Sequence, residues 1–328
     1  MVCLHYSKAA DPESLEAIAP GCDSCTGLRG YSGFFDSSAW RALMQEHCFE
    51  REGTPLFYRR WPGPAQRTLV MFHGLASNGT RWREFADLAQ ASCDWQILAP
   101  DLRGHGRSSY RGRLRARDWV DDVLAMLDHC GCEQAVVGGH CLGANLAMRL
   151  ARDCPERIRA VVLVEPMLPS ALLGVLRYIR PLRWTLPMLA GPFRMLNAAG
   201  LQRRSLPVLD LTELDRQTRL AVAEHGGHEA MVSRYARPSK DLAYMPVATY
   251  LQALYQVLRK VGPLEHIRQP VLALLSRGAL LADPVKTRQL LQALPQARIE
   301  EVEALHWIPT EHPQGMTRHI VEFLDGLG

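Results

Sequence analysis

A chain of 328 residues, 47 % of them hydrophobic, can bury a large core, and we expect one domain with an insertion. The net charge of +4 is too small to indicate a nucleic-acid partner, and no interleaving of aromatic and basic residues supports one. The nine cysteines are an odd number and no apolar leader opens the sequence, which favours a reducing, cytoplasmic location.

Residues 1–45 have no regular pattern, and we predict that they form an N-terminal extension. They include Cys22 and Cys25, which have the spacing of half a zinc site, but no second pair follows at a suitable distance. We therefore expect no metal. Nor does the sequence contain a run of about 18 uncharged apolar residues of the kind that spans a bilayer.

From residue 48 onwards, strand patterns alternate with helix patterns. Strands are predicted at 48–51, 55–61, 68–72, 96–99, 135–137, 160–164, 271–275 and 299–302, and helices at 81–91, 114–130, 144–153, 284–294 and 316–327. Alternation of this kind specifies a mostly parallel sheet covered by helices on both faces. The predicted fold class is therefore α/β.

The interval 167–266 interrupts this alternation. Its pattern is mostly helical, punctuated by prolines, and it lies between two predicted core strands. We predict a helical cap inserted over the carboxyl edge of the sheet, where ligands of open parallel sheets bind. The core then consists of residues 46–166 and 267–328.

One short motif carries most of the chemical information. Gly139-His140-Cys141-Leu142-Gly143 follows a predicted strand and opens a predicted helix. A sharp turn between strand and helix lifts the apical side chain out of the sheet, and the helix directs its first N–H groups towards the sulfur. Cys141 is thereby a candidate nucleophile, the alternative being a small buried cysteine that only packs.

Four motifs together extend this interpretation. They are Phe72-His73-Gly74-Leu75, the segment 99–108 (APDLRGHGRS), the cysteine motif, and His306-Trp307-Ile308-Pro309. In this order and at these spacings, the sequence resembles the α/β-hydrolase superfamily over roughly residues 48–165 and 267–328. The resemblance implies an α/β-hydrolase fold with a capped, mostly parallel sheet.

The resemblance also implies roles for individual residues. Cys141 would be the nucleophile and His306 the general base. The backbone N–H groups of Leu75 and Leu142 would form the oxyanion hole. His140, beside the nucleophile, is expected to be structural.

The acid that orients the base is where the sequence departs from the family pattern. Ala279 stands where relatives usually carry an aspartate. Glu165 ends a predicted core strand, at a position where some haloalkane dehalogenases carry their acid, and is the tentative choice. Asp283 is an alternative, and a third possibility is that no acid exists, either naturally or through an inactivating change.

The chemistry of a sulfur nucleophile limits the classes of substrate and reaction that we predict. A cysteine nucleophile forms a thioester, so its exchange with an incoming thioester is nearly isoenergetic. We therefore expect a thioesterase or an acyltransferase or cyclase that acts on a thioester or activated ester through an acyl-Cys141 intermediate, without a cofactor. The alternatives are a carboxylester hydrolase and, from another class, a non-catalytic ligand-binding protein with a degraded triad.

The predicted cap is basic and rich in leucine. It could receive coenzyme A or an acidic acyl carrier protein that delivers a small acyl substrate, lie on an anionic membrane, or simply face solvent, with membrane contact the less favoured. Eight apolar side chains of the cap are expected to line an acyl pocket or to form the core of the cap: Leu172, Leu173, Leu176, Ile179, Leu182, Trp184, Leu186 and Leu189. The segment from residue 167 to residue 204 contains no aspartate or glutamate but has six arginines: Arg177, Arg180, Arg183, Arg194, Arg203 and Arg204.

Overall fold

The computed structural model describes residues 44–203, 205–225, 229–235 and 237–328. The predicted N-terminal extension lies outside these ranges except for its last two residues, and so do Cys22, Cys25 and Arg204. None of the helices in these ranges combines the length and the apolar composition that crossing a bilayer requires.

The centre of the fold is a twisted sheet of eight strands in the order β1-β2-β4-β3-β5-β6-β7-β8. The first two strands form an antiparallel hairpin, β2 pairs antiparallel with β4, and all other pairs are parallel. The strands are β1 (Gln45–Arg51), β2 (Thr54–Trp61), β3 (Thr68–Phe72), β4 (Gln96–Pro100), β5 (Ala135–His140), β6 (Ile158–Val164), β7 (Val271–Ser276) and β8 (Ala297–Val302). The α/β-hydrolase fold predicted from the sequence is confirmed.

The apolar runs of the inner strands are explained by helices on both faces of the sheet. In β3, Val70 and Phe72 belong to one core cluster, and Leu69 and Met71 belong to the other. Every residue of β3 is buried, because successive side chains point to opposite faces and both faces are covered. A strand with one wet face would show alternation instead.

The helices follow the strands in the predicted order, with ends that differ from the predicted ones by a few residues. They are α1 (Arg83–Gln90), α2 (Ala116–His129), α3 (Leu142–Asp153), α4 (Gly174–Ile179), α5 (Thr185–Ala198), α6 (Leu211–His225), α7 (Glu229–Tyr235), α8 (Pro238–Tyr244), α9 (Val247–Val257), α10 (Pro284–Leu291), α11 (Ile308–Glu311) and α12 (Pro313–Asp325). Helices α4 to α9, the cap helices, lie between β6 and β7. The loops that follow the parallel strands meet at one edge of the sheet, where they can build a site.

Candidate active site

Cys141 occupies a strained turn between β5 and α3. Its φ of 56° and ψ of −112° are unusual for a residue with a side chain. A Cβ at Gly139 would lie 2.6 Å from the carbonyl oxygen of Phe72, and one at Gly143 would overlap the same oxygen. The turn therefore requires both glycines, which explains the spacing seen in the sequence.

The structure brings His306 and Glu165 together, although 141 positions separate them in the chain. The distance from His306 Nδ1 to Glu165 Oε2 is 3.1 Å, and both side chains are buried. Cys141 lies near enough to His306 to raise the pKa of the imidazole, and since Nδ1 faces Glu165, Nε2 is the nitrogen left for the sulfur. Thiol, imidazole and carboxylate thus form one continuous chain of contacts.

Glu165 is placed by the pairing of β6 with β7. Its backbone N–H donates to the carbonyl oxygen of Leu274 at 3.0 Å, and its Oε1 accepts a hydrogen bond from the Ser276 N–H. The residue has a positive φ of 49°. Of the four non-glycine residues with positive φ in the described ranges, Ala76, Cys141 and Glu165 all belong to this site, as strained backbone at functional sites often does.

The other two positions raised by the sequence lie elsewhere. Ala279 is exposed in the loop after β7. Asp283 caps the N-terminus of α10, where its side chain accepts a hydrogen bond from the Lys286 N–H at 3.1 Å. The geometry therefore favours Glu165 over Asp283 as the partner of His306, because the Asp283 carboxylate is committed to a helix end.

The surroundings of His306 favour its protonated form. Burial alone lowers the pKa of this histidine, but the hydrogen bonds with Cys141 and Glu165 and their negative charges outweigh burial and raise it to about 9. Burial, with the nearby His306 and Arg81, lowers the pKa of His140 well below its ordinary value. The neutral His140 donates from Nε2 to the carbonyl oxygen of His306 at 2.9 Å, which helps to fix the loop that carries the base.

Glu311 is a positioning residue that sequence reasoning missed. Its carboxylate accepts hydrogen bonds from the backbone N–H groups of Leu305 at 2.9 Å, His306 at 3.2 Å and Trp307 at 2.9 Å. These three bonds hold the His306 loop against α11. No motif in the sequence distinguishes this glutamate from an ordinary acid in a short helix.

The two predicted oxyanion donors belong to segments adjacent to Cys141. Leu142 is the first residue of α3, so its N–H has no acceptor one turn earlier in the helix. On the other side, a Cβ at Gly74 would lie 3.3 Å from the Cβ of Cys141, so the loop that carries Leu75 passes close to the nucleophile. His73 fixes this loop: Nδ1 donates to the Gly74 carbonyl oxygen at 2.8 Å, and Nε2 accepts from the Leu102 N–H at 3.0 Å.

A cavity of about 450 Å³ opens above Cys141 and His306. This volume suits a small acyl substrate. Most of the lining is apolar and comes from the cap helices and the loops beside them, including Met167, Val175, Leu176, Leu209, Leu211, Leu214, Leu254 and Val257. The wall is therefore suited to an acyl chain.

Polar side chains interrupt that apolar wall, including Arg234, Lys240, Asp241 and a cluster around Arg81. Burial raises the pKa of Asp241 to about 7, against the smaller opposing effect of a hydrogen bond with Tyr250. Arg81 pairs with Asp215 of α6, and Asp215 also accepts a hydrogen bond from the Tyr235 hydroxyl. This cluster ties the cap helices to the core beside the cavity.

The sequence-based expectation for Leu182, Trp184 and Leu189 is wrong. Their exposed fractions are 64 %, 55 % and 56 %, so they form neither the core of the cap nor the acyl pocket. Leu182 and Trp184 lie in the turn before α5, and Leu189 stays exposed although α5 packs on α9 and buries Ala190. Leu176, by contrast, does line the cavity, Leu172 is buried, and Ile179 and Leu186 pack against the core.

Comparison with known proteins identifies the family of the fold. A family model described as alpha/beta hydrolase fold matches residues 67–313. The sn-1-specific diacylglycerol lipase ABHD11 of Mus musculus is 24 % identical over 274 residues, which cover 82 % of this chain and 85 % of that protein. Lipase LipV of Mycobacterium tuberculosis is 29 % identical over 203 residues, covering 57 % of this chain and 72 % of that protein.

Solved structures share the fold at low sequence identity. A thermophilic esterase from Thermogutta terrifontis superposes with a TM-score of 0.63 at 18 % identity, covering 86 % of this chain and 99 % of the other. The thioesterase domain from the curacin biosynthetic pathway superposes with a TM-score of 0.57 at 19 % identity, covering 85 % and 99 %. The fold and the matched family model define the class, and the chain belongs to the α/β-hydrolase family as a hydrolase.

Proposed function

We propose that this hydrolase transfers acyl groups through a covalent acyl-Cys141 intermediate, with a thioester as its preferred substrate. The observation that carries the proposal is the unbroken contact from Glu165 through His306 to Cys141. A non-catalytic binding protein with a degraded triad is less well supported, because Glu165 lies within hydrogen-bonding distance of His306 although residue 279 is an alanine.

The proposed reaction has two steps, acylation of Cys141 and hydrolysis of the acyl-cysteine. The Cys141 sulfur attacks the acyl carbonyl carbon, the N–H groups of Leu75 and Leu142 stabilise the oxyanion, and the leaving thiol takes the proton held by His306. A water molecule then attacks the acyl-cysteine while His306 accepts its proton. Collapse of the second tetrahedral intermediate releases the carboxylic acid and restores the Cys141–His306 pair.

Sulfur favours a thioester over an oxygen ester as donor. Acyl transfer from a thioester to Cys141 exchanges one thioester for another and is therefore nearly balanced in energy. Coenzyme A or an acyl carrier protein remains the predicted carrier of the acyl group. A carboxylester hydrolase is the nearest alternative, and rates on matched sulfur and oxygen esters separate the two.

The direct test is intact-mass measurement after mixing the full chain with an acyl-coenzyme A thioester. We expect a mass increase of one acyl group, located on Cys141 by peptide mapping, and faster turnover of the thioester than of its oxygen analogue. Absence of the adduct, together with alkylation of Cys141 by a thiol reagent, would show that the residue is accessible but is not the nucleophile.

The carboxyl group of Asp241 predicts a pH effect on substrate binding. Because its pKa is raised to about 7, Asp241 gains its negative charge as the pH rises through that value. A charge on the cavity wall disfavours an apolar chain, so we expect KM for a long-chain thioester to rise several-fold above pH 7. In Asp241→Asn this rise should disappear, and a persisting rise in that variant would assign the effect to another group.

Substitution at the position where relatives carry the acid is expected to have little effect. Ala279→Asp should change kcat/KM by less than about threefold, since Ala279 is exposed and His306 Nδ1 already has a carboxylate partner. Steady-state kinetics on the thioester provide the measurement. A large gain in turnover would mean that Glu165 is not the working acid.

A further inference from the structure

The outer side of helices α4 and α5 exposes an unusual number of large apolar side chains. Of the thirteen large hydrophobic residues exposed in the described ranges, ten lie between residues 175 and 201. Tyr178 is 77 % exposed, and Met188 and Met195 are each 74 % exposed. We call these ten the apolar cap surface: Val175, Tyr178, Leu182, Trp184, Met188, Leu189, Phe193, Met195, Leu196 and Leu201.

Helix α5 is apolar on its packed side and on its open side. Ala190 is fully buried on the side that faces α9, whereas Met188, Phe193 and Met195 point outwards. Arg194 is the single charged residue of the helix. An exposed helix normally turns a polar face to water, and a helix that is apolar all round is normally buried. The open side of α5 thus has the amino-acid composition of a surface that is covered by another apolar phase.

The segment that carries this surface is basic in sequence. No aspartate or glutamate occurs from residue 166 to residue 209, a stretch that contains six arginines. Where hydrogen bonds are formed they go to backbone carbonyl oxygens: Arg180 donates to Pro169 at 2.8 Å and Arg183 to Arg180 at 3.1 Å. Carbonyl oxygens leave the positive charge unneutralised, so the surface complements an anionic partner.

The apolar cap surface is continuous with the cavity above Cys141. Val175 is 68 % exposed and also lines the cavity, next to Leu176. Trp184 lies at the same surface, with the Arg183 guanidinium 4.9 Å from its ring centre. Tryptophan and arginine side by side are typical of the boundary between lipid headgroups and acyl chains.

We propose that the apolar cap surface rests on an anionic lipid bilayer, with the arginines at the headgroups and the apolar side chains among the upper acyl chains. The number of apolar side chains favours lipid over an acidic carrier protein, which the arginines alone would fit equally well. An acyl chain in the bilayer would then lie beside the entrance of the cavity. Binding to lipid does not depend on the proposed reaction and can be measured without substrate.

The test is flotation of the full chain with vesicles of phosphatidylcholine alone or of phosphatidylcholine mixed with phosphatidylglycerol. We expect binding to the mixed vesicles that weakens with salt, and a loss of about tenfold or more in the double variant Met188→Gln, Met195→Gln. The matched control is Val285→Gln, which removes a 66 % exposed apolar side chain on α10, outside the surface, and should bind as the unchanged chain does. Circular dichroism verifies that the variants are folded.

A second measurement locates the contact. Brominated acyl chains should quench tryptophan fluorescence in the unchanged chain, and Trp184→Phe should abolish most of that quenching. Absence of binding to mixed vesicles, or equal binding by the methionine variant, would overturn the proposal. So would a dimer in solution that the methionine variant converts to monomer, or capture of an acidic carrier protein by this surface in the absence of any lipid binding.

Discussion

Replacing Cys141 by alanine is expected to lower kcat/KM for a thioester by at least about 10³-fold and to eliminate the acyl adduct. The sulfur is the atom that bonds to the acyl group, so no neighbouring side chain can replace it. Folding should survive, because alanine is smaller than cysteine and the strained turn is set by the neighbouring glycines. Stopped-time hydrolysis assays and intact mass give the two readouts.

The matched control is Cys48→Ser, which alters an exposed cysteine of β1 that does not line the cavity. It should leave both the rate and the adduct unchanged. An adduct that persists in Cys141→Ala, on any other residue, would contradict the assignment of the nucleophile. Cys141→Ser adds a chemical readout: it should lose far more activity on the thioester than on the matched oxygen ester if the site is built for sulfur.

Replacing Glu165 by glutamine is expected to lower kcat/KM by roughly 10²-fold. Glutamine can still accept the hydrogen bond from the Ser276 N–H, but it presents an uncharged group to His306 Nδ1. The comparable change in a serine triad costs about 10⁴-fold, and we expect less here because a thiol needs less help to ionise. Steady-state kinetics across pH provide the measurement.

The pH dependence of this variant distinguishes its effect from a general loss of structure. Glu165 contributes to raising the pKa of His306, so Glu165→Gln should move the alkaline limb of kcat/KM to lower pH. With a folded pKa near 9 and an ordinary value of 6.5, the stability contributed by His306 is complete below pH 6.5 and is lost as pH rises through 9. The thermal unfolding temperature of Glu165→Gln should therefore depend less on pH between 6.5 and 9 than that of the unchanged chain.

Asp283→Asn is the matched control for Glu165→Gln, since Asp283 is the other acid that the sequence offers. Its carboxylate caps α10, so the change should cost at most about 1 kcal/mol of unfolding free energy and leave the pH profile of kcat/KM unaltered. If Asp283→Asn instead moved the alkaline limb and Glu165→Gln did not, the assignment of the acid would be reversed.

The sequence determined the fold class and the nucleophile turn because these depend on local patterns. Apolar runs such as 68–72 and 135–137 fix parallel strands that are covered on both faces. The turn at Cys141 needs glycines at 139 and 143, because their missing Cβ atoms leave room for the Phe72 carbonyl. The spacing of the two glycines is visible in five residues, although the contact with the Phe72 carbonyl that explains it is tertiary.

The partner of His306 was decided by tertiary structure. Glu165, Asp283 and a missing acid stayed open in the sequence, because nothing local states which carboxylate comes within 3.1 Å of an imidazole 141 positions away. The pairing of β6 with β7 brings the end of one strand beside the loop of the other. Glu311 could not be identified from the sequence for the same reason, since its role consists entirely of contacts with the folded His306 loop.

For the surface of the cap, too, the sequence determined the composition and the tertiary structure decided which side chains are exposed. The sequence determined that residues 166–209 are rich in leucine and arginine and contain no acid. It could not show whether Leu189 faces inwards or outwards, because a helix that is apolar all round has no preferred side in its own pattern, nor where the turn with Leu182 and Trp184 would lie. Only the packing of α5 on α9 selected the buried face, and the apolar residues left on the other face are the basis of the proposed contact with lipid.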